Sequence, residues 1–130
     1  MKNNILKLII YLYYLSLVLL LIIYLFPGSI IGYLLYGNLG KQPNLINNPI
    51  GTTINHFFYF FYLTFLGLIY NLHEKKFINS FLFLFILSCF LELLHLFIPN
   101  RAFELNDILA NSLGTVTVFI LFLLKKKTSL

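Results

Sequence analysis

The chain has 130 residues, 60% of them hydrophobic, with 9 basic and 4 acidic side chains and a formal net charge of +5. Soluble domains carry roughly 25% charged residues and about 45–50% apolar ones. This balance, with a mean hydropathy of +0.91, excludes a water-soluble globular fold. The charges fall between four long apolar runs, so lipid is the solvent for most of the chain.

The first run covers residues 5–26, broken only by Lys7, and Pro27-Gly28 ends it. It exceeds the 7–15 residue core usual in a signal peptide, and no small-residue cleavage pattern follows, so it reads as a span. A connection over residues 27–53 follows. Its first part, Ser-Ile-Ile-Gly-Tyr-Leu-Leu-Tyr-Gly, is apolar but too short to cross a bilayer. Long structureless connections are uncommon unless functional, so residues 29–36 are expected as a short interfacial or re-entrant piece over the polar mouth described below. Further runs at 54–72, 77–98 and 108–124 are each long enough for a hydrocarbon core of about 30 Å. The expected fold is all-α: a single-domain, polytopic bundle of four transmembrane helices.

With four spans, Lys2, Lys7, Lys75, Lys76, Lys125, Lys126 and Lys127 share one side, and only Lys41 and Arg101 lie on the other. The excess of Lys and Arg marks the cytoplasmic side. Both termini are therefore expected in the cytoplasm, and the lysines need no nucleic acid to explain them. Cys89 is the only cysteine, so neither an internal disulfide nor a thiolate metal site is expected.

Charge within lipid costs at least ~2.5–3.5 kcal/mol, so the ionisable residues near span ends need partners. Glu92 falls six positions before the expected end of the third span, with His95 on the same helical face. The second span begins with Asn55 and His56, and the fourth with Asp107, followed one turn later by Asn111. Arg101, in the loop after Pro99, is the nearest fixed cation and the expected counter-ion of Glu92 or Asp107. Within the fourth span, Asp107, Asn111, Gly114 and Val118 form one stripe of the kind that faces other helices. In the second, His56, Leu63 and Gly67 share a face, with Gly67 permitting close backbone approach. The outer mouth is thus expected to gather His56, Glu92, His95, Arg101, Asp107 and Asn111.

Structural roles fit the same residues. Asp107 suits a helix N-cap, Asn111 an interhelical hydrogen bond, and Glu92 with Arg101 an ion pair. His56, Glu92 and His95 have metal-ligand side chains, but Glu-x-x-His recurs by chance in helices, and no metal or other cofactor is expected. Glu104 and His73 read as solvated loop residues, and Tyr24, Tyr33 and Tyr36 as interfacial anchors.

The stretch from Glu92 to Gly114, E-L-L-H-L-F-I-P-N-R-A-F-E-L-N-D-I-L-A-N-S-L-G, resembles the signature of the VanZ-like membrane proteins. That signature has a glutamate, often a glutamine three later, a Pro-then-Arg turn, an Asp, an Asn four on and a Gly three beyond. I-N-H-F-F-Y-F-F-Y-L-T-F-L-G is similar to the family's lysine-histidine helix start. Departures are His95 where Gln is common, Asn55 where Lys is common and Asn100 where Gly is common. A carboxamide is a poor zinc ligand, so His95 for Gln speaks against a metal role common to the family. The resemblance implies a small, multi-pass protein of the bacterial inner membrane and cell envelope, with a link to glycopeptide resistance. It carries the polar signature onto His56, Glu92, Arg101, Asp107 and Asn111.

Three functions compete. The first is binding of an amphipathic or lipid-linked ligand at the mouth, with Arg101 meeting phosphate or carboxylate. The second is an enzyme acting on a lipid head group, with Glu92 or His95 as general base and Arg101 stabilising negative charge. Ser88, Cys89 and Ser112 lack an evident triad for a nucleophile. The third is a structural subunit whose polar cluster only locks the bundle.

Overall fold

The computed structural model describes residues 2–43, 53–72 and 77–128. His73, Lys75 and Lys76, the latter two part of the charge asymmetry, lie outside the described residues, as does the 44–52 part of the long connection.

The described elements are all helical: α1 (Lys2–Leu25), α2 (Ile30–Tyr36), α3 (Thr53–Leu72), α4 (Phe77–Leu94) and α5 (Leu105–Thr128). Three of them hold segments long and apolar enough to cross a membrane: Asn4–Leu25, Thr53–Tyr70 and Leu105–Lys125. The corresponding apolar piece of α4, Asn79–Leu94, is shorter. Its helix ends four residues before the expected Ile98. Beyond Leu94 the amides of His95, Leu96 and Phe97 bond carbonyls three residues back, the tightening common where a helix unwinds. Asn100 then takes a left-handed φ of 58° before Arg101, a conformation Asn tolerates better than most side chains. α5 begins three residues earlier than expected, at Leu105.

The short apolar stretch after α1 is a helix, α2. Ser29 caps it, its Oγ accepting the amide of Gly32 at 2.9 Å, and Gly37 closes it in the left-handed conformation. Tyr33, Leu34, Leu35 and Tyr36 leave their side chains exposed.

α3 is the hub of the bundle. It packs most extensively on α5 and also against α1 and α4. The core joins Tyr13, Leu20 and Tyr24 of α1 to Phe60, Leu63 and Leu66 of α3 and Leu84 and Leu91 of α4. The outward faces are apolar too, with Ile86, Phe90, Leu113 and Leu121 all exposed. Helices surrounded by lipid gain little from burying more hydrocarbon, so close packing and polar contacts hold them together. The expected α5 stripe does this: Asp107, Asn111, Gly114 and Val118 are all buried. At Gly114 the α5 backbone lies directly against the α3 backbone, because an added Cβ would strike the carbonyl of Phe57 and come within 3.0 Å of the amide of Phe61. Gly67 differs from expectation. It meets the Tyr13 ring, 3.0 Å from the position of an added Cβ, rather than another backbone.

Gly114→Ala is therefore expected to destabilise the α3–α5 contact by about 1–3 kcal/mol, the usual cost of overpacking, because backbone cannot step aside. Gly67→Ala should cost less, since a ring edge can turn. Thermal unfolding of the two variants in the same detergent checks the order.

Candidate functional site

One end of the bundle gathers the last turn of α1, the first turn of α3, the last turn of α4 and the start of α5. Tyr24 sits at its centre, buried. Its hydroxyl lies 2.6 Å from His56 Nδ1 and donates to Asn111 Oδ1 at 3.2 Å. With the phenolic proton donated to Asn111, the imidazole is the donor in the His56 contact. His56 thus carries a hydrogen on Nδ1 and turns Nε2 toward Asp107, whose Oδ2 is 3.4 Å away. The other oxygen of Asp107 accepts the Thr53 hydroxyl at 2.7 Å.

On the α4 side, Glu92 is 0% exposed. Its Oε1 is 3.1 Å from His95 Nδ1 and accepts the Glu104 amide at 3.3 Å. His95 Nε2 bonds the carbonyl of Tyr24 at 3.2 Å, which only a protonated nitrogen can do. The two rings stack at 5.2 Å. Both ring nitrogens of His95 are therefore engaged. Among the described residues, Glu92 Oε2 and Asn111 Nδ2 are buried with no partner. Such an orphan costs about 1–3 kcal/mol, more when charged.

One nitrogen of His56 and one carboxylate oxygen each of Glu92 and Asp107 lie within 4.8 Å of one another, a set that could hold a metal ion. Beside it a cavity of about 140 Å³ opens between α1, α2 and α3, lined by Ile23, Tyr24, Ile31, His56, His95 and Arg101 among others.

A family model described as VanZ/LLP1 matches residues 9–126. The chain belongs to the VanZ/LLP1 family. No curated protein and no solved structure matches it. The apolar helices and this membership make it a VanZ-like membrane protein, and the family resemblance read from Glu92 to Gly114 is thereby shown.

The bundle of this family member brings all six expected polar residues to one end, with one expected pairing, one expected cap and one expected depth changed. Arg101 makes no ion pair with Glu92 or Asp107 among the described residues. Its Nη2 instead donates to the carbonyl of Ile23 at 2.6 Å and its Nε to that of Phe26 at 3.3 Å. These are the unpaired carbonyls where α1 ends, and a cation suits that end of the helix dipole. Asp107 is not the N-cap of α5, because the helix starts at Leu105 and the carbonyl of Glu104 accepts the first-turn amides of Asp107 and Ile108. Glu92 lies in the last turn of α4 and not a turn and a half below its end.

Sequence reasoning missed Tyr24. A tyrosine near a span end reads as an interfacial anchor, and only its position on α1 opposite His56 and Asn111 marks it as the centre of the site. Thr53, which fixes Asp107, gave no signal. Ser88 is buried and spends its hydroxyl on the carbonyl of Phe85 at 2.8 Å, so it is no nucleophile.

Outside the helices, burial holds the Arg101 guanidinium below its ordinary value, with Tyr24 and Glu92 acting against it; it stays charged. Partial burial, then the Asp107 and Glu92 carboxylates, push Glu104 up. A carboxyl whose folded value is raised penalises the folded state once pH passes its unfolded value, and that penalty is absent below it. Glu104→Gln is thus expected to raise the unfolding midpoint at neutral pH and to leave it unchanged at pH below the ordinary carboxylate range. Paired melting curves at the two pH values check the sign.

Proposed function

We propose that this VanZ-like protein crosses a bacterial inner membrane four times, with both termini cytoplasmic. In this reading it binds the polar head of an amphipathic, lipid-linked ligand in the cavity at its outer end, within the envelope chemistry of glycopeptide resistance. For the spans, α4 is about 27 Å long at 1.5 Å per residue, close to the hydrocarbon thickness, and the ends of α1 and α4 meet the starts of α3 and α5. That alternation suits four crossings. α2, with an exposed apolar face beside the cavity, suits an interfacial helix.

The observation that carries the ligand reading is the two-sided cavity. Leu20, Ile23 and Ile31 give it an apolar wall, while His56, His95 and Arg101 give it a polar end. About 140 Å³ is well under the ~300–1,000 Å³ of a pocket enclosing a whole drug-sized ligand. It suits a head group whose acyl chains lie outside along the exposed leucines and phenylalanines. Arg101 spends Nε and Nη2 on the carbonyls of Phe26 and Ile23, which leaves Nη1, among the described residues, for a phosphate or carboxylate.

Two other readings have less support. His95 as general base would first have to break one of its two ring bonds. A purely structural cluster would gain nothing from leaving Glu92 Oε2 and Asn111 Nδ2 unpaired.

In phosphatidylcholine nanodiscs, a fluorescent polyprenyl phosphate is expected to bind the wild-type chain. Arg101→Gln should weaken it at least about tenfold, as expected for losing a hydrogen bond to a charged group worth ~1.5–3 kcal/mol. Arg101→Lys should keep part of the affinity. Equal binding by wild type and Arg101→Gln, with both chains folded, would sink the reading.

A further inference from the structure

We infer that His56, Glu92 and Asp107 form a binding site for one divalent transition-metal ion, with zinc the best fit. Ligand type is the first ground. One imidazole nitrogen and two carboxylate oxygens suit Zn²⁺, whereas Ca²⁺ and Mg²⁺ prefer all-oxygen shells. The set differs from the trio considered in the sequence, because His95 turns its nitrogens to Glu92 Oε1 and the Tyr24 carbonyl.

Orientation is the second ground. Metal ligands are usually held through their other polar atom, and each of the three is. His56 is fixed by Tyr24 through Nδ1, Asp107 by Thr53 through Oδ1, and Glu92 by His95 and the Glu104 amide through Oε1. What remains is His56 Nε2, Asp107 Oδ2 and Glu92 Oε2, three lone-pair atoms. Spacing is the third ground. Two ligands about 2.0–2.1 Å from a tetrahedral zinc stand roughly 3.4 Å apart; His56 Nε2 and Asp107 Oδ2 are separated by 3.4 Å, while the set as a whole spans up to 4.8 Å, so the Glu92 carboxylate closes in on binding. The last ground is the orphan itself: among the described residues Glu92 Oε2 has no partner, in a side chain that is 0% exposed. A dication supplies that partner.

Three protein ligands leave a fourth position, and of the three only His56 lines the cavity. Water or an anionic group would complete the shell there, the pattern of open zinc sites rather than closed structural ones. The inference stands apart from the ligand-binding reading, since neither needs the other.

The test uses the full chain, purified in detergent with a histidine-free tag and stripped with a chelator. Titration with Co²⁺ is expected to saturate at one equivalent and to give the intense visible bands of four-coordinate cobalt, which Zn²⁺ then displaces. His56→Ala and Asp107→Asn should abolish the bands. Tyr24→Phe should weaken binding about 10- to 100-fold through the lost orienting bond. Lys7→Gln, exposed near the start of α1 and far from the set, should bind as wild type does. Zn²⁺ should raise the unfolding midpoint of wild type and not that of His56→Ala. No saturable uptake by the folded wild-type chain overturns the inference, and that result does not depend on any variant folding. Uptake unchanged in His56→Ala and Asp107→Asn overturns it equally, and would mean that His56 is itself the cation between the carboxylates.

Discussion

Two carboxylates buried at one end of an apolar bundle are the constraint on which the rest of the structure depends. Glu92 and Asp107 are no more than 5% exposed, and an isolated buried charge is far more costly than any single packing contact returns. Every helix end at the mouth is arranged around that cost. α1 brings Tyr24, α3 brings Thr53 and His56, the end of α4 carries Glu92 with His95 three residues on, and the residue before α5 offers the Glu104 amide. The network is shared among four helices, so none can shift without stranding a polar group. This gives the mouth a single arrangement where hydrocarbon packing alone would allow many.

Along the bundle a different device operates. With lipid-facing surfaces as apolar as the core, area burial scarcely distinguishes one helix pairing from another. The choice falls to shape: at Gly114 two backbones touch, and Thr115 beside it is buried with its hydroxyl returned to the carbonyl of Asn111 at 3.0 Å. Small residues thus set the α3–α5 distance, and that distance in turn sets where His56 and Asp107 meet, because all four positions lie on the same two helices.

Much of this was legible in the sequence, for reasons that differ by residue. The apolar runs betray helices because lipid demands them, and the apolar stretch at 29–36, too short to span, betrays the interfacial piece that the structure forms as α2. Glu92, His95, Asp107, Asn111 and His56 stood out because polar groups in lipid are expensive enough to be informative. Glu92 with His95 was legible from the i, i+3 spacing; the other pairings were not. Arg101 was matched to a carboxylate on charge and proximity in the chain. The competing demand, α1 carbonyls left open after Leu25, belongs to a helix some 75 residues away in sequence. Tyr24 was hidden by the many tyrosines of this chain, 9 in all. The early end of α4 was hidden because its apolar run continues through Phe97 and Ile98 after the helical bonds have changed.

The turn from His95 to Glu104 joins these levels. It begins with the 3₁₀-like bonds after Leu94, passes through the left-handed Asn100 and ends on the Glu104 amide that bonds Glu92. Between these points Arg101 reaches across to the last carbonyls of α1. One short segment therefore closes α4, opens α5, caps α1 and orients the buried glutamate. Its backbone supplies one of the two partners of Glu92 Oε1, the Glu104 amide, and the His95 side chain supplies the other. A left-handed residue is accordingly needed just before the arginine: an extended residue there would carry Arg101 away from α1 and pull the Glu104 amide off Glu92, undoing the cap and the site together.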